Sequence, residues 1–154
     1  MCMDKEFVKW ELESSIRAVI DSQNYLDLPK VSGNYFVLRV AQRGIIYTAE
    51  KTLKAIYDSV NYLLDADYNL EYSKVINQFV KCTSDLPKDK VSTLNMVSRF
   101  NSKLYSDKTK IEDSNSKHLI FNFIGIDGES LLSLLRFLLE RIVGGVNNEE
   151  GGIG

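Results

Sequence analysis

Apolar residues recur at helical spacing along most of this chain. From Asp4 to about Asn24, Val8, Leu12, Ile16, Val19 and Ile20 follow one another at steps that place them on a single helix face. Leu28-Pro29 and Ser32-Gly33-Asn34 then break the pattern, as Pro and Gly clusters do. The next segment, NYFVLRVAQRG, has a short apolar run compatible with a buried helix or a strand. Helix is preferred over 35–43, because the rest of the chain offers no obvious partner strands. Thr48 reads as an N-cap, and Leu53, Ile56, Tyr57, Val60, Leu63 and Leu64 continue an amphipathic helix to Asp65-Ala66-Asp67.

A further helix is predicted from about Leu70 to Lys81, with Tyr72, Val75, Ile76, Phe79 and Val80 inward. Asp85 and Pro87 punctuate the chain, after which Val91, Leu94, Val97, Asn101 and Leu104 mark a helix ending near Tyr105. Residues 106–116 are polar and charged and read as an exposed loop. The run HLIFNFIG leaves helix and strand both open over 118–124.

The most apolar stretch, GIDGESLLSLLRFLLERIVGG, begins at Gly125. A membrane span needs about 20 apolar residues, whereas Leu131 to Val143 is shorter and carries Ser133, Arg136, Glu140 and Arg141. At 100° per residue, Glu129, Ser133, Arg136 and Glu140 fall within roughly 60° of one another. Only one narrow stripe therefore seeks water, and the leucines, Phe137 and Ile142 cover the rest. Such a helix packs against several neighbours. Asp127 is placed to cap its first amides, Arg141 to sit in its negative last turn, and Gly144 to close it in the left-handed conformation.

These elements predict an all-α fold: a compact bundle of about six or seven helices around the apolar C-terminal helix. A single domain is expected over 1–145, followed by a flexible tail over 146–154.

Composition adds exclusions. With 154 residues and 44% hydrophobic content the chain has enough apolar material for its own core, and a net charge of −2 creates no global field for nucleic acid or anionic lipid. Two cysteines, Cys2 and Cys82, rule out a disulfide framework. The start MCMDKEFVKWELE lacks the apolar run of a secretory signal, and no Asn-x-Ser/Thr acceptor occurs. An intracellular, cytoplasmic setting is expected.

His118 is the only histidine, so a site with two imidazole ligands cannot form, and no metal or cofactor is expected. Cys82 with His118 lacks the local motif of a nucleophile and its base, and Cys82 reads as a buried small thiol. Phosphate-binding glycine loops and the Gly-x-Ser-x-Gly and His-Glu-x-x-His patterns are also absent, and no catalytic residue is assigned.

Binding remains, and the expected partner is a protein or a second copy of the chain. Phe7 and Trp10 lie off the main apolar stripe of the first helix, and Tyr57 and Tyr62 belong to a tyrosine cluster around the helix after Thr48. Tyrosine and tryptophan suit interfaces because they bury large area while keeping a polar tip wet. These four are the candidate partner-binding residues. The alternative is RNA or DNA binding through 81–117, where eight basic residues face five acidic ones. Arg99 and Lys103 are i, i+4 neighbours there, and Lys108 and Lys110 follow in the loop. VAQRGIIYTAEKTLKAI is also similar to a helix-turn-helix, with Thr48 opening its second helix, although its Ala41 to Gly44 spacing is one residue short.

Overall fold

The computed structural model describes residues 4–26, 35–65, 70–105 and 119–151. Apolar periodicity becomes α1 (Lys5–Leu26), α2 (Tyr35–Leu64), α3 (Tyr72–Cys82), α4 (Lys88–Tyr105) and α5 (Gly128–Gly151). A π-helical turn, Asn122–Ile126, follows a short helical turn at 119–121 and precedes α5. The described residues form a compact all-α fold with no strand. Both segments that the sequence left between helix and strand are helical where described, over 35–43 and 119–124.

The longest element departs most from expectation. Thr48 does not open a helix: α2 runs unbroken from Tyr35 to Leu64, about 45 Å at 1.5 Å per residue. The Thr48 hydroxyl donates back to the Gly44 carbonyl, 3.0 Å away, and accepts from Ser22 on α1 at 2.9 Å. A hydroxyl that bonds the carbonyl four residues earlier serves a helix interior as readily as a cap. With no turn at Gly44, the helix-turn-helix likeness disappears.

Three side-chain links set α1 antiparallel to α2. Lys54 meets Glu11 at 3.0 Å, Ser15 donates to the Lys51 carbonyl at 3.4 Å, and Ser22 pairs with Thr48. As the number rises on one helix it falls on the other. α2 also packs on α3, on the π-helical turn and on α5, while α4 packs on α3 and α5. The centre is thus shared: α5 lies against α1, α2 and α4, and α2 against α1, α3 and α5.

α5 buries Leu131, Leu132, Leu134, Leu135, Leu138 and Ile142, while Glu129, Ser133, Arg136 and Glu140 form its exposed stripe. The helix does not stop at Gly144. It continues to Gly151, and no described glycine has positive φ, so Gly144 is an interior residue. Glycine permits a left-handed stop without compelling one. Arg141 consequently lies well inside the helix, where it bonds Asp85 at 2.6 Å and covers the Phe137 ring at 4.9 Å. Asp127 joins the π-helical turn to α5 through its backbone, its amide donating to Asn122 and its carbonyl accepting from Leu131. Phe123 of that turn stacks on Phe100 of α4 at 3.8 Å. No described helix is long and apolar enough to cross a membrane.

Candidate interaction surface on the first two helices

The side of α1 turned away from the core begins with Phe7 and Trp10, one turn apart, with ring centroids separated by 6.1 Å. Phe7 is 41% and Trp10 53% exposed, so both rings face water side by side. The antiparallel register brings α2 alongside, and Tyr47, 62% exposed, extends the aromatic surface across the pair. Lys51 sits between the two helices' rings: its Nζ is 4.9 Å from the Trp10 centroid and 5.7 Å from that of Tyr47. Lys54 covers Phe7 at 5.4 Å. Ammonium groups over ring faces hold the side chains in place while leaving them wet.

Beneath this surface lies a buried polar cluster that periodicity did not reveal. Glu11 and Asp58 are buried carboxylates on facing helices, and Lys54 bridges them at 3.0 Å and 2.6 Å. The second Glu11 oxygen, Oε1, is buried without a hydrogen-bond partner among the described residues. Burial pushes Glu11 up to about 7, with the Asp58 carboxylate adding to the rise and Lys54 opposing it. Lys54 is raised despite burial, because both carboxylates favour its charged form. Glu11 adjoins Leu12, and Asp58 lies between Tyr57 and Val60. A charge beside an apolar stripe was the available signal.

No protein-family model, curated protein or solved structure matches this chain.

Of the residues singled out for partner binding, Phe7 and Trp10 come together and are exposed, whereas Tyr57 and Tyr62 are half-buried and packed against the core. The Tyr57 hydroxyl donates to the Leu70 carbonyl at 2.7 Å, and its ring stacks on Tyr72 at 5.5 Å. Tyr72 in turn donates to the Leu53 carbonyl at 2.8 Å, and burial raises its phenol well above the usual range. These tyrosines join α2 to α3. They also border a cleft of about 320 Å³ with Glu50, Lys54 and Tyr105.

Tyr47 is not among the residues that the sequence singles out for partner binding. Its exposure became legible only once α2 was continuous. Arg99 and Lys103 are both exposed on α4 at i, i+4, while Lys108, Lys110 and His118 lie outside the described residues. Cys2 does too. Lys90, from the same basic region, is engaged by Asp89 and by Ser133 of α5. Cys82 is a free, exposed thiol at the end of α3 rather than a buried one, because the inward face of that helix belongs to Val75, Ile76 and Phe79. Among the described residues no group of three or more His, Cys, Asp or Glu side chains is placed to hold a metal ion.

Proposed function

We propose that this chain works by binding another protein through the aromatic surface formed by α1 and α2. The observation that carries this reading is the Phe7, Trp10 and Tyr47 set, exposed and organised around the Lys51 ammonium. Aromatic side chains with a nearby cation supply much of the binding energy at interfaces, since they bury large area at little entropic cost. Rings held by neighbouring lysines lose less freedom on association. The reading assigns no catalysis and no cofactor. It places the chain inside the cell, where a reducing environment keeps an exposed thiol such as Cys82 free.

The partner is a different polypeptide or a second copy. Light scattering over a range of concentrations, together with affinity capture at physiological salt, tests both. Association is expected to depend on Trp10 and Tyr47, falling at least tenfold in Trp10→Ala/Tyr47→Ala while helicity and melting are retained. A strict monomer that captures the same proteins with and without these two rings would overturn the reading.

A further inference from the structure

Opposite its core face α1 carries a second stripe. At 100° per residue Trp10, Ser14, Arg17 and Asp21 fall within about 60° of one another, and Phe7 and Tyr25 lie at the margin nearest α2. Trp10, Arg17 and Asp21 are exposed and Ser14 is half-buried. The stripe is therefore long, wet and mixed: an aromatic end, a small residue, then a base and an acid.

Charge on this helix is balanced. Apart from buried Glu11, α1 carries Lys5, Lys9 and Arg17 against Glu6, Glu13 and Asp21, and none of the six forms an ion pair among the described residues. Glu13 and Arg17 stand one turn apart without pairing. Arg43, Glu50 and Lys51 on α2 mix the signs in the same way. A partner of one sign gains little from such a surface, because each attraction is met by a nearby repulsion. A reversed copy of the same helix matches acid to base.

Resting on the reading above, we infer that the partner is a second copy of this chain, docked through an antiparallel, two-fold pairing of α1 centred at Ser14. A two-fold axis across the helix sets each residue opposite the one equally far on the other side of Ser14, and keeps both on the same flank. Arg17 then arrives between Trp10 and Glu13 of the second copy, where its guanidinium covers an indole face and meets an unpaired carboxylate. Asp21 comes opposite Phe7, on the flank that carries the Lys51 ammonium. The Ser22–Thr48 contact sets Tyr47 near the level of Ser22, so its ring reaches the level of the second copy's Phe7. Symmetry makes each of these contacts twice. A parallel pairing instead sets Arg17 against Arg17 and Glu13 against Glu13, which like charge opposes.

Sedimentation equilibrium of the full chain at physiological salt tests this, with the emission of Trp10, the only tryptophan, as a second readout of its covering. Glu13→Arg and Arg17→Glu each place like charges across the axis, and each should weaken self-association at least tenfold with circular dichroism and melting retained. Mixed in equal amounts, the two variants regain opposite charges at both contacts, and the mixture should associate to within about threefold of the wild type. Single reversals that leave association unchanged, or a mixture that associates no better than either variant alone, overturn the inference. So does a wild type that stays monomeric up to about 1 mM. If that monomer still captures another protein through Trp10 and Tyr47, the aromatic surface stands and the second copy does not. If capture is also indifferent to those two rings, both readings fall.

Discussion

Replacing Glu11 with Gln tests whether the buried carboxylate pair titrates as its surroundings dictate. Glu11 moves from 4.5 to about 7 in the folded chain, chiefly because burial penalises its charged form beside Asp58. A raised carboxyl binds its proton more tightly when folded than unfolded. Stability is therefore largest below the unfolded value and falls as pH rises towards the folded one. Each tenfold change is about 1.4 kcal/mol, giving an upper bound of about 3.4 kcal/mol for the full difference. The bridging Lys54 side chain is 61% exposed, however, so water screens the cluster and about 1–2 kcal/mol is the expected loss between pH 5 and 8.

Urea unfolding of the wild type and Glu11→Gln at pH 5, 6, 7 and 8 measures this. The wild type should lose about 1–2 kcal/mol more than the variant across that range. His118 is common to both proteins and its contribution cancels in the difference. Asp85 and Asp89 are lowered by Arg141 and Lys90 respectively, so their contributions are lost only as pH falls through the acid range, below this window. Parallel pH profiles for the two proteins, or a wild type that gains stability relative to the variant towards pH 8, would refute the reasoning.

Leu135→Ala and Leu138→Ala should each cost about 2–5 kcal/mol in chemical denaturation, because both side chains have no exposed surface at the contacts of α5 with its neighbours. Gly44→Ala should stabilise by about 0.5–1 kcal/mol, read as a raised Tm, since a methyl group enters open space within a continuous helix; destabilisation would argue that α2 is broken there. Trp10→Ala should change unfolding free energy by less than about 1 kcal/mol while weakening partner association several-fold, separating a surface role from a packing one.

Much of this architecture is legible in local pattern. The inward residues of α1, α3 and α5 follow their spacing closely: Val8, Leu12 and Val19 are buried, as are Val75, Ile76 and Phe79, and the α5 polar stripe is exposed. Element ends are less legible. Thr48 has the chemistry of a cap and the position of a helix interior, and the same hydroxyl serves both. Gly144 has the freedom to stop a helix, yet the backbone continues through it.

The candidate surface divides similarly. Phe7 and Trp10 stand off the apolar stripe of α1 in sequence, and this is why they are exposed. Tyr47 and Lys51 join them only because α2 passes Gly44 without turning and then runs antiparallel to α1. Glu11 and Asp58 are 47 positions apart in sequence, and no local pattern announces that Lys54 will bridge them.

By itself, then, the sequence determined most of the helical segments and which face of each avoids water, since both follow from the 3.6-residue period and side-chain polarity. The tertiary structure decided what covers those faces. Helix-to-helix register sets which rings, cations and carboxylates become neighbours, and that register is a property of packing between segments distant in the chain. The aromatic surface and the Glu11–Lys54–Asp58 cluster both arise at this second level.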